Sequence, residues 1–467
     1  MNRSKYLWLV ILAVAIVTPI AGDLVRGNYR WQMLPAIFSS ILLLLSIAVL
    51  KFQVKLPLLF PCLIGLGIAG LLASAILSEL FPVFTFPVPT GKYAVGTTSI
   101  DLVDRSRIEL CDPSTKSVGV AYRRYRELVV QVWYPTTQTN GVKAPYLQDA
   151  RLIPQGVFSH LGNVKTHAIL DAPIARDIPY PVIIYTPSWS GFKTDNTFQT
   201  QELASHGFVV IGLEHPCSVP MAIYPSGRII YSNLSADYTS SDEALATLLR
   251  VGEEQLVLRT QDIRFVLDRL PQIAREKPFK ATFNLNKIGI FGHSFGGAAA
   301  AQACSIDSRL KAGMNMDGLL FGSAARQGAS VPFFFMNSDY PRPTAADLSS
   351  INGSLRRAKQ TDAWGYEQRD RWFQQHGGDN LTLLASAHMN FSDYPLRSRL
   401  HNGGGKISTD RAMKIINEYT VAFFDRALKG KSSSLLERQS GSSFPEVVFE
   451  HHAQPGSPTA HSDRGSE

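Results

Sequence analysis

The feature that most constrains this chain is a pentapeptide with glycine at both ends, Gly292-His293-Ser294-Phe295-Gly296, together with what flanks it. Before it runs KIGIF (287–291), short and apolar; after it runs GGAAAAQA (296–303), all but one of its residues small. A strand must therefore turn sharply into a helix, with the serine at the apex. Such a turn holds the serine in a strained backbone conformation. Side chains two positions to either side would strike neighbouring backbone, so glycine is needed there. This strand, turn and helix make a nucleophile elbow, which holds a hydroxyl clear of the end of a sheet.

Other short apolar runs repeat the style of KIGIF. They are LVVQVWY (128–134), PVIIY (181–185), FVVIGL (208–213), LKAGMNM (310–316) and VPFFFM (331–336). Runs that are apolar throughout, rather than alternating, suit strands buried on both faces of a parallel sheet. Helical stretches are predicted between them, over 197–206 and 241–270. The alternation predicts an α/β fold of the α/β-hydrolase type: a mostly parallel central sheet with helices on both faces, over residues 90–430. Residues 222–231 (AIYPSGRIIY) read as a surface hairpin turning at Pro225-Ser226-Gly227. Beyond Gly430 the chain turns rich in Ser, Gly, Pro and His, and residues 431–467 are predicted to be a flexible tail.

Residues 1–89 belong to another class. Three apolar runs, near 6–21, 33–50 and 56–81, approach or reach the roughly 20 residues that cross a bilayer. The first is short enough to be a signal peptide behind Arg3 and Lys5, but no small-x-small cleavage site follows it, so a retained helix is expected. Arg3, Lys5, Lys51 and Lys55 place cytoplasmic ends before the first span and between the second and third. Arg26 and Arg30 oppose this weakly. The expectation is a multi-pass cell-membrane anchor with the catalytic domain outside the cytoplasm. The net charge of +8 is scattered, with no basic stripe interleaved with aromatics, so nucleic acid is not an expected partner. Four cysteines are too few for a disulfide framework; Cys111 and Cys217 can pair in an oxidising compartment. No CxxC or His-rich ligand spacing occurs, and neither metal nor cofactor is expected.

A serine nucleophile needs a base, which in this fold comes last in chain order. Of His376, His388 and His401, with three more in the tail, His388 follows an apolar run (381–385) that suits the last sheet strand; His376 beside Gly377-Gly378 and His401 beside Asn402-Gly403 read as solvated loop residues. The acid should hold the imidazole in one tautomer. Asp317 closes one strand and Asp339 the next, and position alone does not separate them. One oxyanion donor is expected at the Phe295 N–H, and the other in the loop after PVIIY, Thr186-Pro187-Ser188-Trp189-Ser190-Gly191.

With these residues in place, the chain resembles the plasma-type platelet-activating factor acetylhydrolase family, serine-dependent phospholipases A2. The resemblance rests on TGKYAVGT (90–97), RELVVQVWYP (126–135), ELASHGFVVIGLEH (202–215), RTQDIRFVLDRL (259–270), GHSFGGA (292–298), GMNMDG (313–318) and AHMNFSDY (387–394). It implies Asp317 as the acid over Asp339, agrees on His388, and implies Trp189 as the second oxyanion donor. The chain departs from the family where a His-Gly pair is usual and Pro187-Ser188 stands instead. The resemblance implies calcium-independent hydrolysis of a short or oxidised sn-2 acyl ester of membrane phospholipids. A broad carboxylesterase or lipase is the alternative; a non-catalytic binding module would typically lack a triad member, and none is missing here.

Overall fold

The structure is a computed structural model. It describes residues 30–52, 58–109, 124–147, 159–219, 221–224, 228–231, 244–280, 282–400, 403–437 and 444–454, together with Thr18, Gly22 and Val25. The chain divides into two compact units. One comprises Met1–Thr85, Pro145–Lys165 and Pro395–His401; the other comprises Phe86–Ala144, Thr166–Tyr394 and Asn402–Glu467.

In the first unit, a single 3-10 turn (Trp31–Met33) leads into helix α1 (Leu34–Lys51), and helix α2 (Leu59–Leu80) follows. Both are long and apolar enough to cross a membrane. They pair through small residues, which let the two backbones approach closely. A Cβ at Gly70 would lie 2.9 Å from the Pro35 carbonyl oxygen, and one at Gly67 would lie 3.3 Å from the Leu43 side chain. Ser74 Oγ donates to the Gln32 carbonyl at 2.5 Å. The outer faces carry exposed Phe38, Leu44, Leu66, Leu72 and Ile76. Two of the three expected spans are thus present as apolar helices; the first, 6–21, lies outside the described residues apart from Thr18.

The second unit is built on an eleven-stranded sheet. Its strands are β1 (Ala94–Ile108), β2 (Tyr125–Thr136), β3 (Lys143–Pro145), β4 (Lys165–Leu170), β5 (Tyr180–Thr186) and β6 (Val209–Leu213). A separate hairpin, β7 (Met221–Ile223) with β8 (Ile229–Tyr231), follows. The sheet is completed by β9 (Phe283–His293), β10 (Leu310–Met316), β11 (Phe333–Ser338), β12 (Gly378–Leu383) and β13 (Val447–His452). The order is β13-β12-β11-β10-β9-β5-β6-β2-β1-β4-β3. From β12 to β6 every neighbour is parallel, while β13, β2 and β1 add antiparallel edges. This is the α/β-hydrolase-like arrangement the sequence predicts.

Five helices pack against this sheet: α3 (Thr197–Ser205), α4 (Ala244–Ile273), α5 (Phe295–Ile306), α6 (Gly353–His376) and α7 (Thr409–Lys429). Every residue of β5 is buried, as are Ile211 and Ile290 on its neighbours. Each such Val or Ile contributes about 1.5–3 kcal/mol over leaving it exposed. The parallel order reverses between β5 and β9, and at such a switch point a crevice opens beyond the carboxyl ends of the strands.

Several expectations need revision. The stretch beyond Gly430, expected as a tail, supplies β13, whose Phe449 is buried and lies 6.1 Å from the Phe334 ring. The bias of its flanks toward Ser, Gly and Pro hid a Val-Val-Phe run. His376 is not a loop residue but the last residue of α6, which ends because Gly377 takes φ +65°. His401 and the turn of the 222–231 hairpin lie outside the described residues. Cys217 is disulfide-bonded, with its expected partner Cys111 outside the described residues; Cys62 and Cys304 are free.

Candidate active site

Ser294 occupies the turn between β9 and α5 at φ +57°, ψ −125°, a conformation that side chains other than glycine avoid. Its N–H donates to the Met316 carbonyl on β10 at 2.8 Å. A Cβ at Gly292 would collide with the Gly296 backbone, and one at Gly296 with the Thr186 and Pro187 carbonyls. The two glycines therefore let the start of α5 lie against β5, as the motif requires.

His388 opens the 3-10 turn His388–Phe391 after β12. Its loop is fixed at several points. Asp393 accepts from the Thr197 N–H at 2.8 Å, capping α3, and Asn196 Nδ2 donates to the Phe391 carbonyl at 2.7 Å. His293 Nε2 donates to the His388 carbonyl at 2.9 Å. The imidazole then bridges two groups: Nε2 lies 2.9 Å from Ser294 Oγ and Nδ1 lies 2.7 Å from Asp317 Oδ2.

Asp317 follows β10 at φ +54°, where its N–H donates to the Met336 carbonyl at 2.7 Å. Its Oδ1 accepts from both the N–H and the hydroxyl of Ser338, each at 2.8 Å. Asp339 points elsewhere. It is exposed, and its Oδ2 accepts from the Ala385 N–H at 2.8 Å. The structure thus brings Ser294, His388 and Asp317 together and leaves Asp339 outside the group.

The charges follow from these contacts. Burial by itself would raise the Asp317 pKa, but the hydrogen bond and charge of His388, with the donors of Ser338, hold it well below the usual carboxylate range. Burial by itself would lower the pKa of His388; the hydrogen bond and charge of Asp317 outweigh that and leave it raised. An ionised Asp317 only accepts, so Nδ1 must carry the proton that it receives. The Nε2 lone pair is then turned toward the Ser294 hydroxyl, the tautomer that can take a proton. His293, buried beside His388 with ring centroids 4.6 Å apart, is held neutral by burial.

The remaining expected donors lie at the same end of the sheet. Phe295 is the first residue of α5, where N–H groups have no acceptor within the helix and the helix dipole favours negative charge. Trp189 follows β5, and its ring lies 4.6 Å from that of Phe295. Both border a cleft of about 420 Å³ that also takes in Ser294, Phe321, Tyr366 and Arg369. Among the described residues no cluster of three or more His, Cys, Asp or Glu could hold a metal ion. Sequence reasoning missed His293, Ser338 and Asp393. Each acts on a neighbour rather than on a reacting atom; His293, inside the GHSFG elbow, and Asp393, inside the HMNFSDY run, lay in stretches already singled out, and Ser338 did not.

Residues 81–436 match the sequence profile of the family described as platelet-activating factor acetylhydrolase, isoform II. A platelet-activating factor acetylhydrolase of Cavia porcellus is 27% identical over 322 residues, 62% of this chain and 68% of that protein. A probable 1-alkyl-2-acetylglycerophosphocholine esterase of Arthroderma benhamiae is 25% identical over 82% of this chain and 98% of its own length. Among solved structures, a ferulic acid esterase from Streptomyces cinnamoneus superposes with a TM-score of 0.60 at 28% identity, covering 79% of this chain and 99% of that one.

Proposed function

This chain belongs to the platelet-activating factor acetylhydrolase isoform II family, and from that premise we propose that it hydrolyses the sn-2 acetyl, short or oxidised acyl ester of phospholipids through an acyl-Ser294 intermediate. The observation that carries this reading is the imidazole of His388, within hydrogen-bond reach of Ser294 Oγ on one side and Asp317 on the other.

The steps follow from that geometry. His388 Nε2 takes the hydroxyl proton as Oγ attacks the acyl carbonyl. The carbonyl oxygen becomes an oxyanion, which the N–H groups of Phe295 and Trp189 stabilise. Collapse expels the lysophospholipid alkoxide, which receives the proton from His388. A water then repeats the sequence: its proton goes to His388, its oxygen attacks the acyl carbon, and the released Ser294 oxygen regains a proton. Asp317 stays ionised throughout and stabilises the imidazolium.

The experiment is labelling by a fluorophosphonate probe and turnover of an acetyl ester by wild type and Ser294→Ala. Loss of both in the variant, with folding intact, is expected. Equal labelling of the two proteins would remove Ser294 from the mechanism.

A second reading, a broad carboxylesterase, is favoured by one observation. The cleft wall is aromatic, with Trp189, Phe295, Phe321 and Tyr366, and the chain resembles an esterase of an aryl acid. A panel of sn-2 acetyl phospholipids and aryl esters, with and without EDTA, separates the two by relative kcat/KM.

The apolar helices support a membrane role. We propose a multi-pass anchor in the cell membrane, made of α1, α2 and the segment 6–21, that keeps the enzyme at its lipid. Exposed Phe38, Leu66 and Leu72 suit contact with acyl chains rather than water. An extracytoplasmic catalytic domain (about residues 90–430) is supported by Arg3, Lys5, Lys51 and Lys55, and by the disulfide at Cys217, which suits an oxidising compartment.

A further inference from the structure

Helix α4 carries a charge pair where an apolar stripe would be expected. Arg259, Asp262, Ile263 and Val266 are all wholly buried. The Asp262 carboxylate is fully engaged. It accepts from Arg126 Nε and Nη2 at 2.6 Å each, from Arg107 Nη1 at 2.8 Å and from His215 Nδ1 at 3.0 Å. Through His215 it reaches β5, since Nε2 lies 3.0 Å from Thr186 Oγ1. Arg259, one turn earlier, pairs with no carboxylate among the described residues.

Its donors go instead to the loop after β5 and to Ser218, which lies beyond β6. Nη2 donates to the Ser188 carbonyl at 2.9 Å, Nη1 donates to the Pro187 carbonyl, and Nε and Nη2 donate to Ser218 Oγ at 3.0 and 2.7 Å. The Ser218 carbonyl in turn accepts from the Ser190 N–H at 2.9 Å. The guanidinium also lies 5.0 Å from the centre of the Phe295 ring. A single cation therefore touches the ring of one expected oxyanion donor and the peptide group of the other.

A guanidinium without a carboxylate is a poor choice for stability. Removing it from water costs several kcal/mol, and well-packed apolar side chains often do better. What it does offer is direction. A peptide group is planar and trans, so its C=O and N–H point to opposite sides. The Ser188 carbonyl and the Trp189 N–H belong to one such group. Holding that oxygen with Arg259, and with the Gly191 N–H at 3.0 Å, fixes where the Trp189 N–H points. The planar fork of arginine grips two successive carbonyls in one fixed geometry, whereas an ammonium is a compact point charge whose donors rotate freely.

We propose that Arg259 is the positioning residue of the oxyanion hole: by gripping the Pro187 and Ser188 carbonyls it keeps the Trp189 N–H aimed at the acyl oxygen. This rests on the reading of Ser294 as nucleophile with Phe295 and Trp189 as donors. Such a residue should matter where negative charge develops and little in substrate binding.

The test compares wild type, Ser294→Ala, Arg259→Met, Arg259→Lys and Ser218→Ala on an acetyl ester. It also measures the affinity of a trifluoromethyl ketone, which forms a hemiketal oxyanion on an active serine. Arg259→Met is expected to lower kcat by about 10²–10³-fold, the effect of losing one oxyanion donor. KM should stay within roughly threefold, and ketone affinity should fall in step with kcat. Arg259→Lys and Ser218→Ala should fall in between, with the pH profile unmoved. A kcat loss without weakened ketone binding would overturn the proposal, as would unchanged kcat in Arg259→Lys and Ser218→Ala should Arg259→Met fail to fold. Equal turnover by wild type and Ser294→Ala would overturn the serine mechanism itself, and this role with it.

Discussion

Replacing Asp317 by asparagine changes one atom and should silence the enzyme, because the surroundings decide which way the amide must face. The Oδ1 position accepts from the Ser338 backbone N–H and hydroxyl, and the Oδ2 position accepts from His388 Nδ1. The Ser338 N–H is a fixed donor, so the amide oxygen must take the Oδ1 side. Its NH₂ then faces Nδ1, and two donors cannot share one hydrogen bond. His388 relieves the conflict by moving its proton to Nε2, which presents N–H to Ser294 Oγ where a lone pair is required. The same tautomer error lowers kcat by roughly 10⁴ in serine proteases. At about 1.36 kcal/mol per decade, that is near 5.4 kcal/mol of transition-state stabilisation. The assay is steady-state hydrolysis of an acetyl ester by Asp317→Asn and by Asp339→Asn. Asp339 lies on the surface and, among the described residues, its carboxylate accepts from the Ala385 N–H, which an amide oxygen also satisfies, so that variant should keep its rate within about threefold. If Asp339→Asn proved the silent variant and Asp317→Asn the active one, the tautomer argument and the assignment of the acid would both fail.

Two further outcomes are expected. Because the pKa of His388 is raised by Asp317 and the base must be neutral, kcat/KM should rise with pH through an apparent pKa above 6.5 and be lost on acidification; an acid limb below 6.5 would contradict the electrostatics. Alkaline phosphatase fused after Lys92 should be active if the catalytic domain lies outside the cytoplasm; an inactive fusion, with β-galactosidase active at the same junction, would reverse the topology.

What was legible in the sequence is what local rules control. The elbow could be read because a strained serine between a strand and a small-residue helix demands glycine at fixed offsets, and Ser294 sits at φ +57° as that demand requires. His388 could be singled out because a base is expected after the last parallel strand, and it lies there within reach of Ser294 and Asp317. The central strands could be read because burial on both faces makes them apolar throughout. Strand β1 was not, since Asp101, Arg105 and Ser106 are exposed along it and break the apolar signal. Helix α6 was missed for a related reason: only Gln368, Trp372 and Phe373 are buried over its 24 residues.

Position alone left Asp317 and Asp339 even and the family resemblance favoured Asp317; what only the tertiary structure shows is which carboxylate meets His388. Both close neighbouring strands, but hydrogen-bonding direction turns one carboxylate toward His388 and the other toward Ala385. The buried charges of α4 lay deeper still. In RTQDIRFVLDRL, Arg259 and Asp262 share a stripe with Ile263 and Val266, and that coincidence was the only trace of their burial. A periodicity shows which face a residue occupies; it does not show what lies opposite. Arg259 is held inside because two carbonyls from the loop after β5, some seventy positions away in the chain, turn their oxygens to it. Side-chain identity sets which bonds are possible, and only the packing of distant segments sets which of them form.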